Sequence, residues 1–265
     1  MSKNNIESYY YSGQGVVLMG EYDAEGNVKG LRPIGNVSAL SIAISTNRVE
    51  HKESQTGARG TDKVITTEVG ASVNMTVEHL IQENLALGLY GTTGAVAEKT
   101  DETFTVKAVE LGTVTRLDAI NLLAITVDDG KETPTVTYEL DKNYRVNMEA
   151  GSIYWMTTEE QTAAGATTQL AEATEVGGKF TSGAYKQLDA LTSSAAPVRF
   201  LRYEGLNTVE NNDPVIIEIF KFETAPLAEY ALINEEISNV ALEGTALADV
   251  SRTTGSKYFV QKSLR

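Results

Sequence analysis

The residues that could do chemistry in this chain are few and poorly placed for it. Histidine occurs twice among 265 residues. His51 lies in the charged stretch VEHKESQTGARGTDKVITTEV (Val49 to Val69), and His79 stands at the head of a helix-like pattern. Neither has a serine and an acid in triad-like company, or a second ligand at zinc spacing, and a lone histidine is more often structural or solvent-facing than catalytic. The chain has no cysteine, which removes disulfides, thiolate metal sites and cysteine nucleophiles together. GARGTDK (Gly57 to Lys63) lacks the glycine spacing and the Gly-Lys-Ser/Thr ending of a phosphate loop. SGQGVV (Ser12 to Val17) leads into a strand, where a dinucleotide fingerprint must lead into a helix. The acid pairs Asp128-Asp129 and Glu159-Glu160 have no calcium-loop spacing and read as solvated turns. Asn36-Val37-Ser38 and Asn74-Met75-Thr76 match a glycosylation sequon, which matters only on secretion. No enzyme, cofactor or metal site is expected.

What these residues sit on is β structure. VSALSIAISTN (Val37 to Asn47) alternates, with Leu40, Ile42 and Ile44 on one side and Ala39, Ser41, Ala43 and Ser45 on the other. After the charged stretch, Val69, Ala71, Val73, Met75 and Val77 form an apolar row, and Glu68, Gly70, Ser72, Asn74, Thr76 and Glu78 a polar one. The two read as a long antiparallel hairpin with Val49 to Lys63 as an extended connection. Hairpin loops usually need only about two to five residues. The excess is either a solvated loop or a docking element, in which Glu50, His51, Lys52, Glu53, Arg59, Asp62 and Lys63 meet charges on another subunit. The polar faces carry Ala, Ser, Gly, Asn and Thr, not the usual Lys, Glu and Arg. Small side chains of this kind suit a wall that something slides past, or close packing against another layer.

Further along, EHLIQENLALGLYG (Glu78 to Gly91) changes period and predicts a short amphipathic helix ended by Gly91. GTTGAVAEKT (Gly91 to Thr100) reads as a linker. TFTVKAVEL, AINLLAITVDDG, PTVTYELDKNYRVN and GSIYWMTT then predict short strands of a β-sandwich-like module, with Trp155 in its core. EEQTAAGATTQLAEATEVGGKF (Glu159 to Phe180) reads as loop, with TTQLAEATEV able to make a turn of helix. VRFLRYEG (Val198 to Gly205) and PVIIEIFKFET (Pro214 to Thr224) predict a second hairpin around an Asn-Asn-Asp-Pro turn. Ile237 to Leu247 is a last strand, before a polar tail ending YFVQKSLR.

Composition limits the partners. The net charge of −14, from 36 acidic and 22 basic side chains, disfavours a tight grip on phosphate backbones or anionic membranes. DNA could pass such a surface without sticking to it. The acidity is shared, because Lys99 to Asp189 holds 15 acids and 8 bases and does not mark any one face. AINLLAITV (Ala119 to Val127) is too short to span a bilayer, the amino terminus lacks a secretory pattern, and synthesis in the cytoplasm is expected.

Taken in order, several segments resemble the major tail tube proteins of long, non-contractile bacteriophage tails, the siphophage type. They are GQGVVLMG (Gly13 to Gly20), PIGNVSALSIAISTNRVEHKES, GTDK with the alternating strand after it, ENLALGLYG, YELDKNYRVNMEAGSIYWM and FLRYEGLNTVENNDPVIIEIFKF. None is a catalytic signature; the likeness lies in their order and spacing over most of the chain. It implies a mainly β fold, a tail-tube sandwich or barrel core (residues 1–99 and 196–265) with one short helix and a long hairpin, interrupted by an outer β module (residues 100–195). It further implies homo-hexameric rings whose hairpins close a common inner barrel, stacked into a tube that conducts the genome in the virion tail. Ala39, Ser41, Ala43, Ser45, Glu68, Ser72, Asn74 and Thr76 would line the bore, and Glu50 to Lys63 would reach the next ring. Implied partners are further copies of the chain, tail-tip initiator, tape-measure and terminator proteins, and DNA in transit, with no insertion into membranes. Two other readings stay open: the tube of a contractile injection or secretion apparatus, and a monomeric β-sandwich adhesin.

Overall fold

Alternating segments become strands almost everywhere in the computed structural model, which describes residues 10–55 and 57–264. Strands β1 (Gly13–Gly20), β2 (Arg32–Pro33), β3 (Val37–Lys52) and β4 (Thr61–Val77) lead to helix α1 (Gln82–Gly88). Then come β5 (Thr92–Val96), β6 (Lys99–Val106), β7 (Val114–Arg116), β8 (Leu122–Asp128), β9 (Thr137–Tyr138), β10 (Tyr144–Asn147) and β11 (Ser152–Trp155). Helix α2 (Thr158–Ala163), β12 (Val176–Ser182) and β13 (Tyr185–Asp189) precede β14 (Val198–Asn207), β15 (Asp213–Thr224), β16 (Val240–Ala246) and β17 (Phe259–Ser263). The fold is mainly β. Two compact units divide the chain, one holding the residues up to Thr93 and from Leu188 on, the other Gly94–Gln187.

The first unit is built on one antiparallel sheet in the order β2-β1-β14-β15-β16-β4-β3, with β17 also on β15. One edge of β15 is divided: Val215 to Ile219 pair with β17, and Phe222 to Thr224 pair with β16. The sheet turns there, so its two halves close on one core. Val17, Met19, Leu201, Ile219 and Phe222 come from one half, Val73, Met75, Val77, Leu242 and Ala246 from the other, and Leu85 and Leu87 from α1. The strand residues among them are inward members of period-two rows, interrupted in β15 by a bulge between Ile219 and Phe222. No closed barrel results, and β3 remains a sheet edge.

Helix α1 has no side-chain cap. It is pinned by Asn84, fully buried, whose Nδ2 donates to the Ile34 and His79 carbonyls (2.7 and 2.8 Å) and whose Oδ1 accepts from Arg32 Nη1 (2.9 Å). A buried amide so completely bonded ties strand to helix at little desolvation cost. Gly91 is not the terminator expected from sequence. Tyr90 takes the left-handed position (φ +48°), and Gly91 is small for another reason: a Cβ there would collide with the Asp189 carbonyl oxygen.

In the second unit, sheets β10-β11-β7 and β6-β12-β8-β9 share a core that includes Leu122, Val127, Tyr144, Ile153, Trp155, Leu170, Val176 and Phe180. Trp155 is completely buried, its Nε1 donating to Thr115 Oγ1 at 2.7 Å, as a buried indole requires. Asn143 and Gln161, both buried, bond to one another (2.9 Å) and to the carbonyls of Thr168, Met156 and Leu170.

Several local expectations are corrected. The helix lies at Thr158–Ala163 rather than in TTQLAEATEV, started by a reciprocal capping box between Thr157 and Glu160. Val176–Ser182, read as loop, is the central strand β12. Its Gly177-Gly178 pair lowers strand propensity, yet a Cβ on Gly178 would strike the Thr126 carbonyl of neighbouring β8. GTTGAVAEKT is not a bare linker, because β5 pairs with β13. The two compact units divide at 93/94 and 187/188, within β5 and β13, not at the 99/100 and 195/196 expected from sequence. The polar tail contains β17, which adds Phe259 to Ser263 to β15.

Two outcomes test this packing. Gly151 has φ +65°, and a Cβ there would meet the Ala119 carbonyl oxygen; Gly151→Ala should lower the stability of the second unit by about 2–4 kcal/mol in thermal or urea unfolding. The Glu160 carboxylate is held below its ordinary value, first by the Thr157 N–H and then by the Tyr154 hydroxyl. A depressed folded-state pKa stabilises fully above the unfolded value of 4.5 and is lost as pH falls through the lower folded value. The stability gap between wild type and Glu160→Gln should therefore shrink in acid from pH 4.5 downwards.

Candidate assembly surface

Pairing of the 16-residue β3 with the 17-residue β4 sets the surface. Ala39 stands opposite Thr76, Ser41 opposite Asn74, Ala43 opposite Ser72, Ser45 opposite Gly70 and Asn47 opposite Glu68. All eight residues expected from sequence to share a polar face do share one. Ala39, Ser41, Ala43, Ser45 and Glu68 are exposed, and Ser72, Asn74 and Thr76 half-buried. Asn47 Nδ2 donates to Glu68 Oε2 at 2.7 Å. The opposite face buries Ala71, Val73, Met75 and Val77. Strand β16 extends the polar face on the other side of β4, with Ala241 opposite Thr76, Glu243 opposite Asn74 and Thr245 opposite Ser72. Sequence reasoning missed these three. The alternation of VALEGTA was visible, but no local signal says that this strand joins a hairpin about 165 positions earlier.

Beyond the core the ribbon continues alone. Both ends of the connection expected over Val49 to Lys63 are strand: Glu50, His51 and Lys52 belong to β3, and Asp62 and Lys63 to β4. Only Glu53 and Arg59 lie in the turn, which the Glu53 N–H closes onto the Gly60 carbonyl (2.9 Å). Arg59 there has φ +50°. Polar residues hid these strand ends because they face water on both sides, so no apolar row marks them. The charges partly satisfy one another within the ribbon: His51 Nδ1 lies 2.6 Å from Asp62 Oδ1, and Thr61 Oγ1 donates to Glu50 Oε2 at 3.3 Å. Arg48, Lys52, Arg59 and Lys63 make no ion pair among the described residues.

A bulge divides the ribbon. Asn47 pairs with Glu68 but Arg48 with Thr66, leaving Thr67 extra, and its hydroxyl donates to the Asn47 carbonyl (3.2 Å). One inserted residue reverses the facing of β4 from there on. Ile65 thereby comes opposite Val49, on the face that carries Ser41 and Ser72 nearer the core. Val49, Ile65, Val64, Val69 and Ile44 are all exposed.

The outer edge of β3 has no strand partner among the described residues. At the far end of the curled sheet, β1 pairs with β14 over its full length but meets β2 only at Leu18 and Met19. Between these two edges opens a cleft of about 880 Å³. Leu40, Ile42, Ile44, Tyr203, Ile217 and Phe259 are among its lining residues, none of which is charged. The Tyr203 phenol is pushed up to about 12 by burial and by the neighbouring Tyr11 hydroxyl, so it stays protonated. A second cleft of about 740 Å³ holds Lys29, Arg32, Arg199, Glu21 and Glu83. There Arg199 pairs with Glu21 at 3.0 Å and Arg32 is held by Asn84; these cations are already engaged within the unit.

No curated protein matches the sequence. The model of the family described as "Protein of unknown function UCP028589" matches residues 10–262, nearly the whole chain, and the protein therefore belongs to that family.

Proposed function

We propose that this chain is a structural subunit that polymerises as stacked, hexameric rings into a tail tube of the long, non-contractile bacteriophage type, a conduit for genome delivery. The observation that carries the reading is the unsupported ribbon. From Ala43 to Val69 the described residues of β3, the turn and β4 are exposed on both faces, apart from the half-buried Glu53, and β3 offers its free edge over 16 residues. A two-stranded ribbon is marginal by itself in water, and a long free edge invites pairing with another chain. Neighbouring copies would supply both the missing strand partner and the cover for Ile44, Val49 and Ile65.

The polar face supports the same reading. Its small side chains, together with Glu68 and Glu243, offer no cationic row to a passing polyanion, so DNA would move along it without exchanging counterions at fixed basic sites. In this role the subunit resides in the virion. Its partners are further copies, a tail-tip initiator, a tape measure, a terminator and the DNA in transit.

Two measurements follow. Purified protein examined by size-exclusion chromatography and negative-stain electron microscopy should show rings or tubes with a central channel; a discrete monomer at every concentration would contradict the proposal and favour an adhesin. Replacing Ser41 and Ser72 by lysine puts two cations on the polar face, one on β3 and one on β4. That variant should still assemble and should slow genome ejection about tenfold or more at low salt, an effect that fades as salt rises. Unchanged ejection from tubes containing it would show that this face does not line the bore.

A further inference from the structure

The segment between β15 and β16 exposes more apolar surface than its surroundings account for. Ile233 is 97% exposed, Ile237 84% and Leu232 78%. The Ala225 N–H donates to the Glu243 carbonyl and the Leu227 N–H to the Gly88 carbonyl, but no hydrogen bond is formed by residues 228–239 among those described. The segment carries Glu229, Glu235 and Glu236 and no basic residue, and none of the three is in an ion pair among the described residues. It leaves the fold beside β16, with Ala228, Glu229 and Ala231 near Ala241 and Glu243. It thus lies at one side of the three-stranded polar face, while the free edge of β3 forms the other side.

We propose that this segment of one copy docks along the free β3 edge of the next copy, where Ile233 in antiparallel docking, or Leu232 in parallel docking, covers Ile44 at the mouth of the uncharged cleft. The inference rests on the reading of the chain as a self-assembling subunit, and it names the two surfaces that meet. Charge complementarity selects the occupant. Antiparallel docking that sets Ile233 against Ile44 brings Glu229 opposite Arg48; parallel docking that sets Leu232 against Ile44 brings Glu236 opposite Arg48. Either direction gives the guanidinium of Arg48, which has no ion pair among the described residues, an acidic partner at a desolvated rim. Ile44 itself is 66% exposed, and backbone pairing at a sheet edge with apolar side chains in a groove is an established way to hold an extended segment. Two different patches meet, so the contact is head-to-tail and generates a ring when its rotation closes.

The native absence of cysteine permits a clean test on the full-length protein. Ile44→Cys chains are mixed with Ile233→Cys chains and, separately, with Leu232→Cys chains, all altered at exposed positions and checked for native circular dichroism, then allowed to assemble and oxidised. The expected result is a disulfide-linked pair in the mixture that matches the docking direction and in no variant alone. In parallel, Arg48→Glu should weaken assembly about tenfold, with recovery when combined with Glu229→Lys or with Glu236→Lys, whichever matches the docking direction. Wild-type assembly with no cross-link, and with Arg48→Glu unimpaired, would overturn the docking and leave the tube reading standing. A wild-type chain that never self-associates would overturn both.

Discussion

The backbone edge of β3 is the constraint on which the structure turns. Every peptide unit brings a donor and an acceptor that must be satisfied by protein or by water. Along β3 one side is satisfied by β4, and the other faces solvent for the whole length of the strand. Proteins that remain monomeric usually blunt such an edge with a short strand, proline or inward-pointing charge. Here the edge is long and proline-free, and from Leu40 to Asn47 it carries no charge at all. The sheet curls far enough to bring β1 and β3 to opposite walls of one cleft without bonding them to each other. The first unit is therefore a core that is closed internally and a rim, along β3, that has no strand partner among the described residues.

The bulge at Thr67 makes one ribbon serve two surfaces. Nearer the core, period two keeps Val73 and Met75 buried and turns Ser41, Ser72 and Asn74 outward. Past the bulge, Val49 and Ile65 come to the face that was polar. A row of small polar side chains and a pair of exposed apolar ones thus follow one another on a single face, separated by one inserted residue. Across the ribbon His51 Nδ1 lies within hydrogen-bond distance of Asp62 Oδ1, while Arg48, Lys52 and Lys63 make no ion pair among the described residues.

Much of this was legible in the sequence, and the failures have physical causes. The hairpin and its two faces could be read because half-burial writes a period of two into the residues. The distal ribbon could not, since a strand wet on both sides carries no such period, and its polar residues read as loop. Strand β12 was hidden by Gly177 and Gly178, whose small size is demanded by the close approach of β8. Strand β5 was hidden by its polarity, and β17 by its place in a charged tail; both owe their structure to distant partners. The capping box at Thr157 and Glu160 was a readable helix start, overlooked because the helix it begins is only six residues long. Glu243 and Thr245 could be placed on the polar face only through the register of β16 with β4, which is tertiary information.

Amide hydrogen exchange along β3, followed from dilute to concentrated protein, probes the central claim directly. The amides that point away from β4 should exchange freely in dilute solution and become strongly protected once the protein assembles, while those bonded to β4 change little. Assembly that leaves the outward amides as exposed as before, or their full protection already in the isolated subunit, would contradict a strand edge completed by a neighbouring copy.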